Sequence, residues 1–190
     1  MKTYAPKTPS RRQMSGIEYR KFLTRTTPEK KLVRGFRRAA GRNNRGRITV
    51  RHKGGGVKRL WREVDFLFDK KDIPARILSV EYDPNRTAFI GLTVYRDGEK
   101  RYMVLPSGIK PGDEILVSER APLKRGNRLP LREIPVGAEI YNVEVYPGSG
   151  ARLVRSGGTF AQVLAQDHPV SHVKLPSGEV RKLSDGVWAS

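Results

Sequence analysis

The positive charge of this 190-residue chain is concentrated in its first third, and that concentration limits how the segment can fold. Residues 1–59 contain 19 Lys or Arg and two acids, Glu18 and Glu29, for a net charge of +17. Residues 60–190 contain 19 Lys or Arg and 17 acids, for a net charge of +2. Like charges at such density repel one another in a compact state, so a polyanion is the expected partner. The sequence therefore predicts a basic arm joined to a nearly neutral body.

The arm has few apolar residues and no sustained hydrophobic period, so it is not expected to fold alone. Its best helical candidate is residues 28–40, with Thr27 as N-cap and Pro28 at the first helical position. We expect the arm to stay disordered until a partner neutralises its charge. The alternative interpretation is a merely solvated tail, although such tails usually carry mixed charge.

The body shows the short alternating segments of β-strands. Turn residues such as those at 96–99 and 106–108 separate the segments. Five strands at this spacing suit a small barrel of the OB-fold type over residues 60–120. The predicted strands are 60–68, 75–82, 88–95, 100–105 and 114–118.

A polar segment rich in Pro and Gly, residues 121–135, is interpreted as a connection to a second module. Residues 136–190 are predicted to form an SH3-like barrel that ends within its last strand. Its strands are expected near 139–145, 152–154, 159–164, 170–175 and 179–183. The predicted fold class is therefore mainly β, with an extended basic arm over residues 1–59 followed by two barrels.

The sequence offers little to catalysis. The absence of Cys removes disulfides, thiolate metal sites and a Cys nucleophile. His168 and His172 lie four residues apart, but Pro169 between them argues against a helical metal site. The Gly run at 54–56 lacks the Lys and Ser or Thr of a phosphate-binding loop. We predict no enzyme activity, no metal and no cofactor; since no apolar run could span a bilayer, we also predict no membrane contact.

The end of the arm, GRNNRGRITVRHKGGGVKR (residues 41–59), has the composition of an RNA-binding segment. Arg makes paired hydrogen bonds to phosphate and stacks on bases. Gly lets the backbone approach sugar and phosphate closely, and Asn can reach base edges or 2′-hydroxyls. The residues predicted to contact RNA are Arg11, Arg12, Arg42, Asn43, Asn44, Arg45, Arg47, Arg51, His52, Lys53, Gly54, Gly55, Gly56, Lys58, Arg59, Arg86, Arg152 and Arg155.

Six segments resemble one family in order and spacing, from about residue 2 to residue 183. They are GRNNRGRITVRHKGGGVKR, EYDPNRTAFI, YRDGEKRYMVLP, GNRLPLREIPVGAEIYNVE, LVRSGGTFAQ and LPSGEVRKL. The chain resembles large-subunit ribosomal protein L two in its bacterial form. The first two segments are the most distinctive.

The resemblance implies a structural protein that binds large-subunit ribosomal RNA, helps to join the subunits and supports the peptidyl transferase region. It also implies an OB-fold followed by an SH3-like barrel, other ribosomal proteins as partners, and structural Mg²⁺ held by the RNA. No homo-oligomer is expected. The alternative function is a free OB-fold RNA-binding translation factor.

Members of this family continue beyond the point that matches Ser190. We expect a barrel cut there to leave Val187 and Trp188 poorly covered. The hypothesis is that a separate chain supplies the C-terminal part of the family. A gene divided in this way points to a mitochondrion, with a bacterial cytoplasm as the alternative.

Overall fold

The computed structural model describes residues 1–35, 40–54 and 56–190 and is mainly β, as predicted. Helical segments are short: α1 (Pro9–Arg12), α2 (Tyr19–Phe22) and 3₁₀ turns at Lys30–Leu32 and Leu131–Glu133. In chain order the strands of the described residues are β1 Lys2–Thr3, β2 Ser15–Gly16, β3 Val33–Gly35, β4 Leu60–Arg62, β5 Ala75–Glu81, β6 Ile90–Tyr95, β7 Lys100–Val104, β8 Glu114–Ile115, β9 Leu129–Pro130, β10 Glu139–Ile140, β11 Val143–Glu144, β12 Ala151–Leu153, β13 Ala161–Asp167, β14 Val170–Lys174, β15 Val180–Ser184 and β16 Trp188–Ala189.

The first half of the body is an antiparallel sheet in the order β7-β6-β5-β8. Ile77, Leu92 and Tyr102 are buried on it, and Leu92 pairs with Tyr102 across β6 and β7. A register shift between Ile77 and Ser79 in β5 is of the kind that increases twist and lets a sheet curl. The sheet is consistent with a β-barrel, and its assignment as an OB-fold stays a prediction.

The second half is a sheet in the order β10-β13-β14-β15. Val163 pairs with Val173 at its centre, and both side chains are fully buried. The strand predicted over 139–145 is interrupted at Asn142, which has φ +50° and donates its N–H to the Val154 carbonyl at 3.0 Å. The SH3-like assignment also stays a prediction.

The strand predicted over 60–68 is shorter than its alternating pattern suggested. Within this range only residues 60–62, which form β4, are a strand. The chain turns after them, because the Asp65 carboxylate accepts hydrogen bonds from Leu67 N at 2.9 Å and Phe68 N at 3.0 Å. This turn puts Phe68 at φ +53°. An Asp that bonds the backbone two residues on is a turn former, and here that local bond overrides the alternation.

The helix predicted over residues 28–40 is wrong in the part that the structure describes; residues 36–39 lie outside the described residues. A 3₁₀ turn at Lys30–Leu32 leads into β3, which pairs antiparallel with β4. The partner strand satisfies the backbone of β3, and this tertiary pairing outweighs the weak preference of the local sequence for helix.

The middle of the arm packs on the first sheet. The Tyr102 hydroxyl accepts the Glu29 N–H at 2.8 Å and donates to the Glu81 carboxylate at 2.7 Å. Thr24 N donates to the Val80 carbonyl at 3.0 Å, and Val80 N donates to Thr24 Oγ1 at 2.9 Å. Residues 24–35 are therefore fixed to the body, as are Tyr19 and Phe22 through their ring contacts, while disorder of the remaining arm without a partner stays a prediction.

Removing the Tyr102 hydroxyl should loosen the arm. We expect Tyr102→Phe to lower the free energy of unfolding by about 2 kcal/mol, because the buried Glu81 carboxylate loses a donor. Tyr95→Phe is the matched control, since the Tyr95 hydroxyl is buried with no hydrogen-bond partner among the described residues. Denaturant unfolding measures both, and equal effects of the two substitutions would contradict the prediction.

A buried arginine joins the two halves of the body. Arg128 is 1% exposed and donates to the Asn142 carbonyl at 2.6 Å, the Glu144 carboxylate at 2.9 Å and the Trp188 carbonyl at 3.3 Å. Its guanidinium also lies 4.4 Å from the centre of the Phe68 ring, which comes from the first half. Burial lowers the pKa of Arg128, and the hydrogen bond to Glu144 opposes that effect.

The expectation that Val187 and Trp188 would be poorly covered is wrong. Val187 is 0% exposed and Trp188 is 7% exposed. β16 pairs antiparallel with β9, and Ser190 exchanges backbone hydrogen bonds with Tyr141 at 2.8 and 3.0 Å. The covering partners are segments of this chain itself, which sequence spacing did not place beside its last residues.

Candidate nucleic-acid interface

The pairing of β3 with β4 makes the basic segment a loop that leaves and returns to the body at one place. Gly35 pairs with Leu60, so the chain on either side of the segment is held together. We call residues 40–59 the basic loop. Residues 42–54 and 56–59 of it are exposed, and Gly55 lies outside the described residues. Its cations are therefore free to face a partner.

A tight turn at residues 43–47 presents the first cations of the basic loop. The Asn43 side-chain oxygen accepts the N–H groups of Arg45 at 3.0 Å and Arg47 at 2.9 Å, and Gly46 turns with φ +77°. Arg42 and Ile48 bridge just outside the turn. The sequence predicted that Asn43 contacts RNA at base edges or 2′-hydroxyls, but its side-chain oxygen shapes the turn.

Gly41 holds the base of this turn, a role that the sequence analysis did not assign. Its carbonyl accepts Thr49 N at 2.8 Å and Val50 N at 3.1 Å. A Cβ at Gly41 would lie 2.5 Å from the Val50 carbonyl oxygen, and the residue has φ +68°. Only glycine fits there, because both the backbone angle and the contact exclude a side chain.

The returning end of the basic loop rests on the turn at residues 83–87. Arg59 donates to the Pro84 carbonyl at 2.7 Å, and the Asn85 side chain donates to the Leu60 carbonyl at 2.8 Å. Arg86 is paired with the fully buried Asp83 carboxylate at 2.6 Å. Arg86, predicted as an RNA contact, therefore has a structural partner, whereas Asn85 is a positioning residue that the sequence analysis missed.

The second half of the body adds one cation, Arg155, to the same surface. The Arg155 and Arg86 guanidinium groups lie 4.6 and 5.3 Å from the centre of the Phe66 ring. Gly157 N donates to Thr87 Oγ1 at 2.9 Å. Two segments far apart in sequence, around 83–87 and 155–158, thus meet beside the basic loop.

Four other residues that were predicted to contact RNA lie in three separate segments. Arg11 and Arg12 end the exposed helix α1, whose Thr8 cap accepts the Arg11 N–H at 3.4 Å. Arg152 is exposed in β12. His52 lies on the exposed basic loop with φ +58°. In the described part of the chain, no hydrogen bond, ion pair or ring contact joins these residues to the 83–87 turn, so the structure brings together only part of the predicted set.

Several carboxylates of the body form ion pairs with cations of the body. The Arg101 side chain holds the pKa of Asp69 and of Glu99 below their usual values, and Lys70 does the same for Asp97. These acids stay ionised but are neutralised by their partners. They therefore do little to reduce the positive potential of the basic loop.

Within residues 1–35, 40–54 and 56–190 the structure contains no cluster of three or more metal-ligating His, Asp or Glu. No helix of this described part has the length and hydropathy that crossing a bilayer requires. What the geometry presents is a cationic loop on a rigid base, which suits contact with phosphates.

Comparison with known proteins identifies the family. The family model for Ribosomal Proteins L2, RNA binding N-terminal domain, matches residues 29–117. The model for Ribosomal Proteins L2, C-terminal domain, matches residues 124–190. Large ribosomal subunit protein uL2 of Hyphomonas neptunium is 48% identical over 190 residues, which cover 100% of this chain and 68% of that protein. The chain therefore belongs to the ribosomal protein L2 family, as its six matching segments indicated.

Proposed function

We propose that this chain is a structural constituent of the large ribosomal subunit that binds large-subunit ribosomal RNA through the basic loop. Membership of the L2 family supports the ribosomal role over the alternative of a free translation factor. The observation that supports this binding mode is that the cationic loop is exposed and is closed by β3 and β4. A loop with both ends fixed loses less conformational freedom on binding than a free tail of the same charge.

The phosphate contacts in this proposal come from the exposed cations of the basic loop, supplemented by Arg155 at its base. Asn44 offers its whole side chain to the RNA, whereas Asn43 offers only its amide N–H groups. Arg86 acts mainly by holding the 83–87 turn through Asp83. Arg11, Arg12 and Arg152 would reach separate stretches of RNA.

The proposal includes no catalytic activity and no protein-held cofactor, with structural Mg²⁺ held by the RNA. It retains the family expectations of support for subunit assembly, subunit association and the peptidyl transferase region. Other ribosomal proteins are the proposed protein partners. A mitochondrial rather than a bacterial ribosome remains a prediction.

Binding to large-subunit ribosomal RNA across a salt series tests the proposal. We expect Arg42→Gln, Arg45→Gln and Arg47→Gln together to weaken binding about tenfold and to reduce the slope of log K against log salt by about 2. The slope becomes shallower because binding releases fewer counterions when fewer phosphates are neutralised. The control removes three exposed charges elsewhere, Lys110→Gln, Lys124→Gln and Lys174→Gln.

The comparison of the two triple variants decides the outcome. Weaker binding and a smaller slope in the loop variant alone support the proposal. Equal effects in both variants would show that only total charge matters and would overturn the role of the basic loop. Thermal unfolding of both variants checks that the body is unchanged.

A further inference from the structure

Four aromatic side chains cluster on the surface beside the 83–87 turn. The ring centre of Tyr19 lies 5.4 Å from that of Tyr82 and 5.9 Å from that of Phe89. Phe22 lies 6.0 Å from Phe89. Tyr19, Phe22 and Tyr82 are 45%, 55% and 47% exposed. We call these four residues the aromatic surface.

The body holds the aromatic surface firmly. Tyr19 and Phe22 lie three residues apart in α2, so their side chains share one face of the turn. Leu23 N donates to the Tyr19 carbonyl at 2.9 Å, and Leu23 packs against the core beside Ile77. The reciprocal bonds of Thr24 with Val80 fix the next residue. Rings that are held in place and still half exposed indicate a contact surface.

The aromatic surface is continuous with the proposed RNA interface. Tyr82 directly precedes the 83–87 turn and Phe89 follows it by two residues. Arg59, the last residue of the basic loop, donates to Pro84 within that turn. A strand of RNA whose phosphates meet the basic loop would therefore pass the aromatic rings.

We propose that Tyr19, Phe22 and Tyr82 stack on unpaired bases of the RNA that the basic loop holds by its phosphates; this inference rests on the proposed function. Every base has a π-face, so aromatic rings beside a cationic groove bind single-stranded RNA with little sequence preference. The charge near the rings is compatible with RNA, because Arg20 and Lys21 are exposed on other faces of the same short helix. Lys21 is partly neutralised by Glu18 at 2.7 Å.

Two RNA probes separate stacking from charge: an oligouridylate, which has unpaired bases, and a fully paired RNA duplex, which does not. We expect the full chain with Tyr19→Leu, Phe22→Leu and Tyr82→Leu to bind the oligouridylate about a hundredfold more weakly, since each of the three stacked bases contributes about fivefold or more. Duplex affinity and the salt slope should be unchanged, because no phosphate contact is lost. The conservative variant Tyr19→Phe, Phe22→Tyr and Tyr82→Phe keeps the rings and should keep the wild-type affinity.

The outcomes separate this inference from the proposed function. Loss of oligouridylate binding in the leucine variant, with rescue in the conservative variant, supports stacking. Unchanged oligouridylate binding in the leucine variant overturns it, and so does reduced assembly into subunits at unchanged RNA affinity, which would indicate a protein contact. If the Arg42, Arg45 and Arg47 variant also binds both probes as the wild type does, the proposed function of the basic loop fails as well.

Discussion

Replacing Arg128 with Met is expected to lower the free energy of unfolding by about 3–5 kcal/mol, since the change leaves a buried carboxylate without its partner. Glu144 is 3% exposed and its carboxylate accepts from Arg128 at 2.9 Å. The carbonyls of Asn142 and Trp188 lose a charged donor at the same time. Because these groups and Phe68 come from both halves of the body, the loss should weaken the contact between the halves.

Urea unfolding of the full chain measures this effect. Arg76→Met is the matched control, because Arg76 is an exposed arginine in β5, and we expect it to change stability by less than about 0.5 kcal/mol. The double variant Arg128→Met, Glu144→Leu removes both charges and should recover much of the loss. If Arg128→Met is no worse than Arg76→Met, the buried pair does not join the halves.

Gly150→Ala is the second large effect, at about 3 kcal/mol. Gly150 has φ +72°, and an added Cβ would lie 2.7 Å from the Phe66 carbonyl oxygen. That same oxygen accepts the Ala151 N–H at 2.7 Å, so relief of the clash would stretch a hydrogen bond between the two halves. The strained backbone angle and the clash act together.

Gly148→Ala separates these two causes. Gly148 has φ +76°, and a Cβ there would meet nothing within 4 Å. We expect Gly148→Ala to cost about 1 kcal/mol, which is the penalty of the backbone angle alone. Thermal unfolding compares the two variants, and equal losses would mean that the approach to Phe66 is not tight.

Much of the architecture could be predicted from the sequence, because it depends on local patterns. Alternating apolar residues predicted strands that match β5, β6 and β7 closely. The turn residues at 96–99 predicted the hairpin between β6 and β7, where Gly98 has φ +86°. The errors arose where a side chain bonds the backbone, as Asp65 does, or where a distant strand supplies the pairing, as β4 does for β3.

The candidate site could also be predicted from the sequence only in part. The residue types of the basic loop predicted RNA contact, because charge and glycine content are visible without a structure. The turn of Asn43 and the pairing of Arg86 with Asp83 are local bonds that turn chemistry could have indicated, although the sequence analysis did not assign them. The contact of Arg59 with Pro84 joins residues 25 positions apart and depends on the fold. Burial of Val187 similarly depends on β9, far away in the chain.

The sequence alone determined that this chain has a basic segment of net charge +17, a mainly β body and the motifs of the ribosomal protein L2 family. Charge, composition and alternation are properties of neighbouring residues, so they can be read along the chain. Only the tertiary structure decided that residues 40–59 of this segment lie in a loop closed by β3 and β4, and that Arg128 joins the halves. These features arise from contacts between distant residues, and such contacts exist only once the chain has folded.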